Sequence, residues 1–282
     1  FVYLAALEAG FKPASVANDG PVNIRGWKPS NYTNTYKGRV SLRYALTHSI
    51  NTVAVKLTAN LGPGRVAQTA QRLGIGSKLD ARPSLALGTS EVTLLELTGA
   101  YAPFANGGAR VLPHVITRIR SEDGKVLYTR QRSAVGQVVA PRHVAAMNDM
   151  MSSVVWRGTG RRAASPRHPA GGKTGTTQNS RDAWFVGYTA HYVAGVWIGN
   201  DNNTPMRKVT GGSLPAELWH DLMLIAHKGL RPTALPSRRG PTMPWQGRGA
   251  IAGHFPFNVN GHNKSASSQP FYKRVISFFG GG

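Results

Sequence analysis

Gly171-Gly172-Lys173-Thr174-Gly175-Thr176-Thr177 is the stretch on which the fold turns. One cation stands among glycines and hydroxyls. Asn179-Ser180 after it reads as a turn. Asp182 to Tyr188 and Tyr192 to Ile198 read as two strands, rich in aromatic and β-branched residues. The lysine is therefore expected at the edge of a sheet that is built outward from it. Gly175 carries no side chain and would let another molecule's backbone come close. Thr174 and Thr176 lie two apart and share a face of a strand, so their hydroxyls beside an ammonium form a cradle for a carboxylate. A phosphate loop is the competing motif. It needs a glycine where Arg167 stands and a helix where the strands follow. A plain surface turn with a solvated lysine also fits the heptad taken alone, and the rest of the chain has to decide.

Composition narrows the choice. The 282 residues, 41% hydrophobic, suffice for one large domain or two smaller ones. There is no cysteine, which excludes disulfides, thiol nucleophiles and thiolate metal sites. Phe1 to Gly10 has neither a basic leader nor a cleavage site, and no segment reads as a membrane span. The net charge of +22 is spread along the chain, with +15 in the first 229 residues. Such a charge favours anionic polymers or anionic lipid surfaces, and it is equally the compositional habit of a GC-rich genome, with Arg replacing Lys. No basic helix with interleaved aromatics is present, so no nucleic-acid partner is expected. Nine histidines occur without a His-Glu-x-x-His or a close acid–histidine cluster, so no metal is expected, and no cofactor is called for. There is no Gly-x-Ser-x-Gly elbow either.

Phe1 to Gly10 reads as a buried helix ended by glycine. Phe11 to Lys37 reads as loop, with Trp27 and Tyr32 pinning it to a core. Ser41 is a candidate cap for a helix to Leu46. Ser49 and Asn51 fall on a short connection before a second helix carrying Val53, Ala54, Leu57 and Leu61. Pro63 opens a further helix that Gly74 closes. Ser90 is placed as the cap of a helix with Leu94, Leu97, Tyr101 and Phe104. Val115 to Tyr128 reads as a hairpin around Ser121-Glu-Asp-Gly124. Pro141 opens a helix with Met147, Met150 and Met151 in the core, stopped near Gly158. Arg157 to Pro169 reads as a mobile basic loop, and Pro215 opens a last helix. His48 is placed as a local loop residue, and Asp182 as a strand-edge carboxylate paired with an arginine. Residues 230–282 read as a basic, Pro/Gly-rich disordered tail, with a small sticky patch at Val275 to Phe279. Helices first and antiparallel strands late make an α+β protein.

Ser49-Ile50-Asn51 and Lys173-Thr174-Gly175, in that order and one set of helices apart, resemble two of the three motifs of the penicillin-binding proteins. Further stretches look like the class A branch of that family, the bifunctional cell-wall synthases. They are Trp27-Lys-Pro-Ser-Asn-Tyr32, Val40-Ser-Leu-Arg-Tyr-Ala-Leu46, Ser49 to Val55, Leu87-Gly-Thr-Ser90, and Gly172 to Thr177 leading into Arg181-Asp-Ala-Trp-Phe-Val-Gly-Tyr188. The likeness covers about residues 1–229. It implies a penicillin-binding, β-lactamase-like fold, an antiparallel sheet flanked by a mostly helical subdomain.

The resemblance also implies a chemistry, acyl transfer on peptidoglycan stem peptides. A serine attacks the penultimate D-alanine carbonyl, terminal D-alanine leaves, and an amine of a neighbouring peptide takes the acyl group. β-Lactams mimic the D-Ala-D-Ala end. Lys173 would attract the terminal carboxylate, with Thr174 and Thr176 hydrogen-bonding it. Gly175 would clear the strand for the peptide. The Thr176 N–H would be half of an oxyanion hole. Ser49 would relay a proton, and Asn51 would bond the substrate amide. The family's nucleophile belongs to Ser-x-x-Lys, and no Ser-x-x-Lys occurs in these 282 residues. The expectation is that this motif lies just upstream of Phe1, with a membrane anchor further upstream, on the periplasmic face of a bacterial cytoplasmic membrane. The chain alone would then form no acyl-enzyme. A D,D-carboxypeptidase or β-lactamase-like hydrolase of the same fold, and a non-catalytic module binding anionic polymer or membrane, stay open from sequence. Oligomeric state is not legible.

Overall fold

The computed structural model describes residues 1–131, 136–165 and 167–237. Helix α1 (Val2–Glu8) is apolar on every side and so lies inside, with Leu4, Ala5 and Ala6 fully buried. Strands β1 (Val16–Asp19) and β2 (Gly38–Ser41) pair antiparallel, with Val16 opposite Ser41. They fall within and just after the stretch expected to be loop. Each is four residues long, without apolar alternation, and finds its partner across a proline-rich loop, so no local pattern marks it.

Ser41 caps α2 (Leu42–Thr47) by accepting from the Tyr44 N–H. Helices α3 (Asn51–Leu61) and α4 (Pro63–Leu73) follow, the second opened by Pro63 and ended at Gly74 with φ 123°. Helix α5 (Leu94–Asn106) is capped by Thr93 and not by Ser90. Thr93 and Glu96, three apart, satisfy each other's backbone N–H reciprocally, whereas the Ser90 hydroxyl accepts from Asp80 N. A hairpin of β3 (Arg118–Arg120) and β4 (Val126–Thr129) precedes α6 (Pro141–Arg157), whose Met147, Met150 and Met151 are buried.

The main sheet comes last: β5 (Gly171–Thr176), β6 (Asp182–Tyr188) and β7 (Val193–Gly199), antiparallel, with β5 at an edge. Helix α7 (Leu214–Ala226) covers one face. There Trp219 packs on Phe185 and donates to the carbonyls of Gly187 and Ala194. Gly187 permits this, since a Cβ there would lie 2.9 Å from the Trp219 ring. Helices α5 and α6 cover the other face, where Gly195 admits Thr98 and Gly171 lies against Met151. The result is the α+β arrangement, a helical subdomain against an antiparallel sheet.

Two loop expectations differ from the structure. The stretch after α6 is built in. Gly158 and Gly160 lie tight against Thr47 and Phe185, Ala163 is fully buried, and His168 and Ser165 are buried too. Its arginines point outward, and Arg162 pairs with Glu217 at 3.0 Å. A basic composition misled here because only the side-chain tips are solvated. Tyr32 pins nothing, being 81% exposed. Of the tail expected from Leu230, residues 230–237 are described. Leu235 is buried and the Pro236 carbonyl accepts from buried Asn148. The patch at Val275 to Phe279 lies outside the described residues. Among those residues no helix is long and apolar enough to cross a membrane.

Candidate active site

A groove of about 1270 Å³ runs along the edge of β5, lined by Ser49, Asn51, Lys173, Thr174, Gly175 and Thr176 among others. Lys173 leaves β5 on the face that carries α5 and α6. Its Nζ donates to Ser49 Oγ at 2.8 Å and to the Thr174 carbonyl at 2.9 Å. Burial holds its pKa down to about 8. Ser49 sits between α2 and α3 at φ 54°, a left-handed conformation uncommon for serine, and it is fixed there by Ser49 N to Leu46 O and Ile50 N to Ala45 O. The turn aims the hydroxyl at the lysine.

Asn51 is the first residue of α3. Its amide Nδ2 donates to the Ser30 carbonyl at 3.0 Å and ties the loop bearing Tyr32 to the groove. Beneath it lies a buried network that sequence reasoning missed. The Asp19 carboxylate accepts from Asn31 Nδ2, Thr52 Oγ1 and Lys37 N, and Asn31 Oδ1 accepts from Thr52 N. Burial works to raise the Asp19 pKa, but the hydrogen bonds from Thr52, Asn31 and Lys37 outweigh it and hold the carboxyl below its ordinary value.

Thr174 and Thr176 do share a face, opposite to the one Lys173 leaves from. Thr174 Oγ1 lies 2.7 Å from Thr159 Oγ1 and 3.5 Å from Lys173 Nζ. Thr159 N in turn donates to Thr47 O, which joins α2 and β5 through a single residue. Thr176 Oγ1 accepts from Gly211 N. Gly211 lies over the pair Gly175 and Trp184, so close that a Cβ on it would stand 2.4 Å from Gly175 O. The backbone that approaches Gly175 on that face is thus the chain's own. Thr177 N donates to Asp182 O across the ladder, so alternation along the strand turns the Thr176 N–H toward the open edge.

Asp182 accepts from Trp197 Nε1 and Thr177 Oγ1, and an arginine is not its partner. Arg181 reaches instead for the Asn203 carbonyl. His48 caps the C-terminus of α2, its ring tilted 4.2 Å from that of Tyr44. Sequence reasoning missed Thr159, Gly211 and the aromatic walls Tyr32, Trp184 and Trp197. The one signal for the first two was their glycine neighbours, Gly158-Thr159-Gly160 and Gly211-Gly212. Phe1 also lines the groove.

Comparison with known proteins bears on this geometry. The family model described as penicillin binding protein transpeptidase domain matches residues 1–224. Penicillin-binding protein 1A of Neisseria meningitidis serogroup A is 40% identical over 243 residues, 81% of this chain and 30% of that protein. The protein of the same name from Pseudomonas aeruginosa is 36% identical over 286 residues, 81% of this chain and 35% of its own. The chain thus spans about a third of the length of these curated relatives. The crystal structure of penicillin-binding protein 1A from Haemophilus influenzae superposes with a TM-score of 0.74 at 28% identity, over 83% of this chain and 42% of that one. The PonA1 protein of Mycobacterium tuberculosis, solved in complex with penicillin V, gives 0.76 at 25% identity, over 83% and 69%. The chain belongs to the penicillin-binding protein transpeptidase domain family.

Proposed function

We propose that this domain binds the D-Ala-D-Ala end of peptidoglycan stem peptides, and β-lactams in its place, for serine acyl transfer that cross-links the bacterial cell wall. The observation that carries this reading is the bond of Lys173 Nζ to Ser49 Oγ in a groove beside the free edge of β5. The substrate carboxylate would meet the Lys173 ammonium and the hydroxyls of Thr174 and Thr176. Gly175 would leave room for the peptide against the strand edge, a form of strand addition. The outward Thr176 N–H would stabilise the oxyanion, a donor worth about 3–4 kcal/mol in such sites. Ser49, held by the lysine, would pass a proton to the departing or attacking nitrogen. Asn51 would orient the substrate amide while holding the Tyr32 loop.

The domain is taken as residues 1–229, followed by a basic tail, and its work as lying in the cell envelope, on the periplasmic side of the cytoplasmic membrane. Family membership favours this reading over a polymer-binding module.

The nucleophile is the test. The purified chain, which holds no Ser-x-x-Lys, is expected to give no covalent band with a fluorescent penicillin. A chimera with a Ser-x-x-Lys segment of the family's pattern joined to Phe1 is expected to label, since Phe1 opens on the groove. Labelling of the chain alone at Ser49, or a folded chimera that never labels, would end the proposal. A salt series separates polymer binding, which falls steeply with ionic strength, from penicillin recognition, which changes little.

A further inference from the structure

A second cavity, about 420 Å³, lies on the α7 side of the sheet and shares no lining residue with the groove. Its polar lining includes Arg167, His168, His227 and Lys228, and no Asp or Glu is among the described residues around it. His168 is 7% exposed, and its Nδ1 has no hydrogen-bond partner. Leaving such a group unpaired is costly, and a buried polar atom without a partner beside a cavity points to something that fills it. His227, whose ring lies tilted 4.2 Å from that of His168, is already committed: its Nδ1 lies 2.8 Å from Met223 O and its Nε2 2.9 Å from Thr189 Oγ1. His191, next to both rings, uses Nε2 on Arg231 O. Three imidazoles therefore gather, and of their nitrogens His168 Nδ1 is the one that is buried without a partner. Among the described residues no cluster is placed to hold a metal ion.

We propose that this cavity binds a small organic oxyanion, a phosphate, sulfonate or carboxylate headgroup carrying a short apolar body. Arg167 and Lys228 supply charge at the mouth and His168 the buried donor. Trp219 and Met223 supply an apolar wall. The cavity, about 420 Å³, has room for more than a bare ion, which is why the ligand carries a body. Ala170, which lines the cavity, is followed directly by β5, so an occupant would touch the root of the strand that carries Lys173.

Binding should take up a proton. His168 is held toward its neutral form by burial, by His191 on the β6–β7 turn and by Arg167 on its own segment. His227 from α7 and Lys228 after it face the same cavity. A bound anion offsets these charges and favours the imidazolium.

Calorimetry with butane-1-sulfonate, whose charge is constant across the range, tests this on the whole chain. Saturable binding is expected, tighter near pH 5.5 than near pH 8, with methanesulfonate weaker and butan-1-ol silent. Arg167 and Lys228 are exposed, so Arg167→Met with Lys228→Met should leave the melting temperature unchanged while weakening binding about tenfold or more. His168→Gln should remove the pH dependence. No saturable heat at millimolar sulfonate overturns the proposal. So does binding unchanged in the double variant, or butan-1-ol binding as well as the sulfonate.

Discussion

Lys173 Nζ reaches Ser49 Oγ at 2.8 Å across 124 residues of sequence. The contact joins an edge strand to a strained turn between two helices, and it does so with a lysine that burial has made unusually easy to deprotonate. The sign of its pH dependence follows. The native pKa, about 8, lies below that of the unfolded chain, so between about 8 and the ordinary lysine value the unfolded state binds more protons and stability rises with pH. Recognition runs the other way. Affinity for an N-acyl-D-Ala-D-Ala peptide should fall as pH climbs through about 8 and the ammonium is lost. Titration by NMR of the chain as it stands would check both, and Lys173→Ala should weaken the peptide by about 10–100-fold, the worth of a charged hydrogen bond.

Thr159 holds Thr174 at 2.7 Å while its own N–H is anchored to Thr47. It acts on the substrate cradle only through Thr174 and is a positioning residue. Thr159→Val should weaken the same peptide about 3–10-fold with little change in melting temperature, and Thr159→Ser should restore it. Wild-type affinity in Thr159→Val, or a loss in Thr159→Ser as large as in Thr159→Val, would contradict positioning by the hydroxyl alone.

Gly211 lies against the backbone of β5 and β6, with no room for a Cβ. Gly211→Ala must push the loop off the strand or distort it, at about 1–3 kcal/mol as for other overpacked sites. The lost Gly211 N to Thr176 Oγ1 bond should appear as a changed Thr176 amide environment and weaker peptide binding. A variant with wild-type melting and wild-type spectra would contradict the tight packing.

The Asp19 network should carry the stability of the Asn51 side of the groove. Thr52→Val removes a 2.6 Å hydrogen bond to a buried carboxylate and should cost about 1.5–3 kcal/mol in urea unfolding. Since the folded carboxyl titrates below its ordinary value, its contribution is fully present above the unfolded carboxyl pKa and is lost as pH falls below it. The wild type should therefore lose more stability than Thr52→Val on acidification.

Thr93 and Glu96 form the reciprocal cap of α5, and Glu96 also accepts from Gly76 N, Ser77 N and Ser77 Oγ. Those bonds, Ser77 first, draw its pKa down to about 2. Thr93→Ala should cost about 1 kcal/mol, and Ser90→Ala much less, in a thermal melt.

Much was legible because it was local. The order of helices, the Pro63 and Pro141 starts, the Gly74 stop, the Ser41 cap and the two strands after Lys173 each announce themselves within a few residues, through capping chemistry, proline geometry and side-chain period. Motif order, Ser-x-Asn before Lys-Thr-Gly, was enough to name the family. What sequence left hidden was everything set by partners far along the chain. β1 and β2 pair across a long loop, and Asp19 meets Thr52 in the interior. Thr159 looked like part of a mobile basic loop until packing put it between Thr47 and Thr174. That Lys173 touches Ser49, that Gly211 covers the back of Gly175, and that His168 is left with an unpaired nitrogen beside a cavity are facts of tertiary packing. Sequence fixes local backbone preference and which residues must be buried. Which buried residue faces which is decided only when the helices and the sheet close on one another.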